Sequence, residues 1–248
     1  MAHLRGAVYG RVSVYDLSVI PLFMLMGGFA VNGGLSKALF DFANSLLGRF
    51  KGGMAMAGIL ACAAFGAISG STVATTATIA QVAYPEMRRI KYSGRLATAA
   101  LATGGTMGVL LPPSVTLMVY AILTEQNITK TFLAAYVPAI LAALGYLVVI
   151  AIYVRLRPDQ APEARAASGA EVLQAGAKVW PIALIFMAVF GGIYGGIFTP
   201  TEGAAIGATL TFVITLLQRQ LTLKKAVESI RTTAVTSGMI FMIFIGAD

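Results

Sequence analysis

Residues 54–84 set the terms for the whole chain. They are apolar enough for a lipid bilayer, yet rich in Gly, Ser and Thr around GAISGSTVATTAT (residues 66–78). A helix crosses a roughly 30 Å hydrocarbon core in about 20 residues. The 31 residues here are too many for one span, and two spans with a turn need about 45. Two legs of about 15 residues each pass the midplane and return. Both flanks are basic, with Arg49 and Lys51 before and Arg88, Arg89, Lys91 and Arg95 after, as expected if both ends lie on one side. The expectation is a re-entrant hairpin with its tip, near Ser69-Gly70-Ser71-Thr72, inside the membrane.

Composition supports a membrane setting: 58% of the residues are hydrophobic, 11% are charged, and the mean hydropathy is +0.82. A soluble domain carries roughly 25% charged residues. The net charge of +8 comes from Lys and Arg between apolar blocks, which is a positive-inside pattern and not a nucleic-acid face. With Cys62 the one cysteine and His3 the one histidine, neither a disulfide framework nor a Cys/His metal site is available. No signal-peptide layout opens the chain, and it ends at Ala247-Asp248 within an apolar run, so truncation is expected.

After a polar lead-in over residues 1–16, residues 18–31 read as the visible part of a span. Residues 35–47 are amphipathic and read as an interfacial arm helix. Residues 96–123 raise the opposite problem to the hairpin: they are long for one crossing and interrupted by Gly104-Gly105, Gly108 and Pro112-Pro113. Two prolines remove two backbone donors, and lipid tolerates freed carbonyls only where protein or water meets them. A discontinuous helix, broken near the midplane, is expected. Residues 132–154 read as a span, 155–178 as a cytoplasmic loop, and 179–198 as another span. Thr199-Pro200-Thr201-Glu202 has the form of a capping box opening a span to about Leu217. Residues 221–231 read as a second arm, and MIFMIFIGA (residues 239–247) begins a further span. That run echoes VIPLFMLMGGFA (residues 19–30), as an inverted repeat would. The fold class is therefore all-α and polytopic. Placing the basic turns together leaves Lys130 alone on the other side, so the hairpin opens to the cytoplasm.

A helix start offers amides and partial positive charge, and a helix end offers carbonyls and partial negative charge. A hairpin tip meeting a broken helix thus presents a cation site beside an anion-attracting end. Gly70, Gly104 and Gly105 allow close backbone approach, while Ser69, Ser71, Thr72, Thr103 and Thr106 supply neutral oxygens suited to Na⁺. No Asp or Glu lies at that depth, which disfavours a carboxylate proton relay. The plainer readings are that Thr75, Thr76 and Thr78 back-bond to their own helix, that Gly104 and Gly108 serve packing, and that Cys62 is a small buried hydrophobe. Trp180 and Tyr194 read as interfacial anchors, and Glu202 as a helix cap. An enzyme is disfavoured: Ser69-Gly70 has no histidine at membrane depth, and no phosphate-cradling loop carries a lysine.

Three blocks resemble the large membrane subunit of tripartite ATP-independent periplasmic (TRAP) transporters: GAISGSTVATTATIAQVAYPEM (66–87), GGTMGVLLPPSVTLMVYAILTEQNI (104–128) and GGIYGGIFTPTEGAAIGA (191–208). The resemblance covers nearly the whole chain from about Val19. It implies Na⁺-driven import of organic acids, such as C4-dicarboxylates and sialic acid, across the cytoplasmic (inner) membrane of a bacterium or archaeon. It further implies a periplasmic solute-binding protein that delivers the substrate, a small four-helix membrane subunit as partner, and no cofactor besides the coupling Na⁺. The implied fold is an elevator with inverted repeats, of which this chain would hold the first and the start of the second. Carried over, Ser69, Gly70, Ser71, Thr103, Gly104 and Thr106 would hold Na⁺. Ser71, Thr72, Pro112, Pro113 and Ser114 would contact the substrate. The family has an earlier helix before Met1 and a second hairpin after Asp248, so this chain alone would not transport. A carboxylate symporter without a binding protein and a non-transporting assembly subunit are the rival readings.

Overall fold

The computed structural model describes residues 15–161 and 167–246, and the regular elements among them are helices. After a 3-10 turn at Tyr15–Ser18, α1 (Val19–Asn32) and α2 (Leu35–Leu47) meet at a 71° bend. The bend passes through Gly34, whose φ of 71° favours a residue without Cβ. α2 buries Leu35, Leu39, Phe40 and Ala43 and leaves Lys37 and Asp41 exposed, as its apolar spacing dictates.

α3 (Gly53–Ser69) and α4 (Thr72–Arg89) form an antiparallel hairpin. Gly58, near the foot of α3, sits against Met87 at the foot of α4, and Ser69 bonds Thr75 at the other end. α3 is buried on nearly all its faces, against α1, α2, α4 and the helix that follows at Gly94–Gly105. Lipid supplies no hydrophobic drive between helices, so their association rests on close packing. The small side chains of Ala57, Gly58, Ala61 and Cys62 permit that closeness. Tyr92 ties the open end, its hydroxyl accepting the Met54 N–H at 3.3 Å. Burial pushes the Tyr92 phenol above its usual pKa, against the opposing pull of the Met54 and Ala55 amides. α4 runs on through Pro85 to Arg89, beyond the residue 84 limit read from sequence. Pro85 leaves the Gln81 carbonyl without its helical donor and crowds it, yet the helix continues to Arg89.

The next stretch, Gly94–Leu123, is broken. It comprises α5 (Gly94–Gly105), the single turn α6 (Met107–Leu110) and α7 (Val115–Leu123), with Leu111, Pro112, Pro113 and Ser114 between the last two. α8 (Ile128–Leu156) is a continuous apolar helix packed on α3, α6 and α7. α9 (Gly169–Lys178) and α10 (Trp180–Tyr194) follow with a 52° bend, then α11 (Pro200–Leu217) and α12 (Leu223–Gly246). Among the described residues, three helical stretches are long and apolar enough to cross a membrane, or five if each bent pair counts as one span.

Two segments differ from their sequence reading. Residues 155–178 were expected as loop, yet α9 occupies Gly169–Lys178. Its start is a reciprocal box: Ser168 Oγ accepts the Glu171 N–H at 3.2 Å, and Glu171 Oε2 accepts the Ser168 N–H at 2.9 Å. The helix is only 10 residues long and follows Pro158 and Pro162, and the Ser168/Glu171 spacing was the signal that could have marked its start. Residues 221–231 were expected as an arm separate from the following span, yet one helix, α12, runs through both. Residues 223–237 hold neither Gly nor Pro to interrupt it.

α11 opens with the box read from sequence: Glu202 Oε2 accepts the Thr199 N–H at 2.8 Å, and Thr199 Oγ1 accepts the Glu202 N–H at 3.3 Å. Thr199→Ala is expected to lower unfolding stability by about 1 kcal/mol. Thermal unfolding in detergent checks it, and an unchanged midpoint would show that the cap is redundant.

Candidate functional site

The tip of the hairpin is a two-residue break. Gly70 ends α3 with φ 61°, a conformation that strains a residue with a Cβ, and Ser71 begins α4 as its N-cap, its Oγ accepting the Ala74 N–H at 3.4 Å. Ser69 is buried, and its Oγ lies 2.6 Å from Thr75 Oγ1. Thr75 is therefore held by the tip. Thr76 makes the ordinary back-bond, donating to Thr72 O at 2.8 Å.

The tip rests on the break in the second helix. A Cβ at Gly70 would stand 2.7 Å from Pro113 O, and one at Gly108 would stand 2.9 Å from Ser71 O. A Cβ at Gly66 would stand 2.7 Å from Gly108 Cα, and a Cβ at Gly105 would run into Thr76 Oγ1. Ser114, fully buried, is the N-cap of α7, with Oγ accepting the Leu117 N–H at 3.3 Å. Two helices thus end here, α3 and α6, and two begin, α4 and α7. Carbonyl ends and amide ends of opposite partial charge converge on one region.

Beside the tip lies a cavity of about 510 Å³ lined by Ser69, Gly70, Ser71 and Thr72 together with Val115 and Thr116 at the start of α7. Val73, Ala74 and Val109 adjoin them, and α1 and α12 complete the wall. There Asn32 Nδ2 donates to Ser229 Oγ at 2.8 Å, and Thr232, Thr233 and Thr236 continue the polar face of α12. Lys225 Nζ donates to Asn32 O at 3.1 Å and so closes the end of α1. The lining carries no Asp, Glu, Lys or Arg among the described residues, so any ion within it meets neutral oxygens.

The sequence-derived residues divide into two groups. Ser69, Gly70, Ser71 and Thr72 come together at the cavity, with Pro113 and Ser114 directly behind them. Pro112 is buried in the break next to them. Thr103, Gly104 and Thr106 lie elsewhere. Gly104 packs on Cys62 and the Ile59 backbone of α3. Thr106 Oγ1 donates to Thr103 O at 2.7 Å and lies 3.2 Å from the Tyr146 hydroxyl of α8. Thr103 lines a separate apolar cavity with Tyr146 and Tyr153. The sequence reading did not single out Asn32, Ser229, Thr232, Thr233 and Thr236. Hydroxyls at positions 229, 232, 233 and 236 fall on one helical face, and that spacing was the available signal.

A helical hairpin seated on a broken helix, among apolar helices of spanning length, defines a polytopic α-helical membrane protein with a cavity into which hydroxyls project at the hairpin tip. The chain belongs to the family described as tripartite ATP-independent periplasmic transporter, DctM component, which matches residues 2–248. It is 36% identical over 94% of its length to the C4-dicarboxylate TRAP transporter large permease protein DctM of Pseudomonas aeruginosa, covering 54% of that protein. The corresponding protein of Vibrio cholerae is 38% identical over 81% of this chain and 44% of its own length. The isethionate TRAP transporter permease protein DctMQ of Oleidesulfovibrio alaskensis is 33% identical over 97% of this chain and 38% of its own. The chain thus spans about half the length, or less, of these curated relatives. All three are named as permeases and none as an enzyme.

Proposed function

We propose that this chain forms part of the large permease subunit of a Na⁺-coupled importer of organic acids in the cytoplasmic membrane of a bacterium or archaeon. A periplasmic solute-binding protein delivers the substrate, and a small four-helix membrane subunit accompanies the large one. The two hairpin-bearing halves of the intact subunit move as an elevator. The observation that carries this reading is the hairpin tip seated against the helix break beside a cavity lined by neutral oxygens. Na⁺ takes hydroxyl and carbonyl oxygens around Ser69, Gly70 and Ser71, where α3 ends. The anionic substrate faces the starts of α4 and α7, near Thr72, Pro112, Pro113 and Ser114, where helix amides point outward. The named substrates of the relatives, a C4-dicarboxylate and isethionate, share an organic anion of the kind this end attracts.

The test is uptake of a labelled C4-dicarboxylate into proteoliposomes holding the intact transporter with its partners. An inward Na⁺ gradient is expected to drive it. Ser69→Ala with Ser71→Ala is expected to raise the half-saturating Na⁺ concentration about tenfold, equivalent to roughly 1.4 kcal/mol. Unchanged uptake at subsaturating Na⁺ would remove these residues from the ion site, and uptake indifferent to Na⁺ would remove the coupling itself.

A further inference from the structure

On the side of the molecule away from the tip, a groove of about 490 Å³ runs between the turn after α2, the foot of α3 and the last turns of α8. One end carries Arg49, Lys51 and Arg155, all exposed, and the walls are Leu47, Met56, Leu144, Leu147, Val148 and Ala151. The cations are gathered by packing. Gly52, with φ 80°, brings the turn so close to α8 that a Cβ there would stand 2.9 Å from Val154 Cγ2 and 3.3 Å from Ile150 Cγ2. That approach holds Lys51 next to the residue pair Val154-Arg155. No acidic residue lines the groove, and none of the three cations makes a hydrogen bond or ion pair within the described residues. Arg49 instead lies 5.0 Å over the ring of Phe50, which is 45% exposed at the same rim.

We propose that this groove binds one anionic phospholipid, its phosphate held by Arg49, Lys51 and Arg155 and one acyl chain lying along Leu144, Leu147 and Val148. Three clustered cations without a counter-charge select an anion, and the apolar track below them selects one that carries a chain. The dimensions agree. From Leu144 to Arg155 α8 rises about 16 Å, close to the roughly 15 Å depth of one hydrocarbon leaflet. A small soluble anion would leave Leu144 and Val148, both more than half exposed, uncovered. A zwitterionic lipid would fill the track but bring a cation of its own to the three already there. Basic pockets between membrane helices on the cytoplasmic side hold anionic headgroups by the same electrostatics. The site is independent of the transported substrate, because it shares no residue with the tip cavity.

The protein purified in micelles is titrated with phosphatidylglycerol and, separately, with phosphatidylcholine, and lipid adducts are counted by native mass spectrometry. The expected result is one preferred phosphatidylglycerol adduct. Arg49→Gln, Lys51→Gln and Arg155→Gln together should weaken it at least about tenfold. Val148→Trp, which fills the exposed track and leaves every charge in place, should weaken it comparably. Lys37→Gln, Lys224→Gln and Arg231→Gln, an equal charge loss elsewhere, should leave it unchanged. The proposal is overturned if the two lipids bind alike, if the second charge triple weakens the adduct as much as the first, or if Val148→Trp has no effect.

Discussion

Gly70→Ala is expected to separate the hairpin from the helix break and to cut the proposed Na⁺-driven uptake by the intact transporter at least about tenfold. Two costs of the same sign meet at this residue. Its φ of 61° lies in the left-handed region, where a Cβ costs roughly 1–2 kcal/mol. The new atom would also stand 2.7 Å from the Pro113 carbonyl oxygen, a backbone atom that cannot rotate aside. Relief requires the two elements to part by several tenths of an ångström. A gap of 0.5–1 Å forfeits about a quarter to a half of each dispersion contact along the shared face. Overpacking of this kind costs about 1–3 kcal/mol, so the sum is on the order of 2–5 kcal/mol. Gly145→Ala is the control, since nothing lies within 4 Å of a Cβ there and the residue is inside α8. Unfolding in detergent should show a lower midpoint for Gly70→Ala and an unchanged or raised one for Gly145→Ala. Equal midpoints and equal uptake would mean that the tip does not bear on the break.

Phe132→Ala should be the most damaging truncation at the start of α8. Phe132 is wholly buried and meets Phe23 of α1 edge to face, with centroids 6.5 Å apart. Removing about 100 Å³ of ring leaves a cavity term of roughly 2.4 kcal/mol at 24 cal/mol per Å³. Loss of the aromatic pair adds about 0.5–1.5 kcal/mol. The water-to-core transfer term that enlarges such losses in soluble proteins is mostly absent, because the separated helix rests in lipid. About 3–4 kcal/mol is therefore expected. Leu141→Ala, at a residue of the same helix that is 64% exposed, should lose little. Denaturant titration in micelles compares the two, and a similar loss for both would mean that α8 is not anchored through Phe132.

The sequence exposed those features that depend on neighbours in the chain. The hairpin follows from a length that fits neither one span nor two, and the break from Pro112-Pro113. The α11 cap follows from Thr199 and Glu202 standing three residues apart. Directions around a helix were less legible. Thr103 and Thr106 share one face of the broken stretch, and Gly104, Gly105 and Gly108 mark another, where the hairpin packs. The glycines choose the face that can be approached, so the hydroxyls beside them turn towards Tyr146 instead. Reading all hydroxyls near the break as one cluster ignored the roughly 100° between successive side chains.

What the sequence by itself determined is the segmentation: an all-helical chain, a hairpin whose two ends share a side, and a helix that must break at Pro112-Pro113. Length, breakers and basic flanks are local quantities, and they suffice for it. Only the tertiary structure decided which polar groups meet. Asn32 and Ser229 stand 197 positions apart, and nothing local to either predicts their hydrogen bond. The same holds for Arg49, Lys51 and Arg155, which come together because Gly52 lets a turn close on α8. The cavity beside the tip exists because α12 packs on α1, and that packing depends on the shape of two helix faces, which no stretch of sequence carries alone.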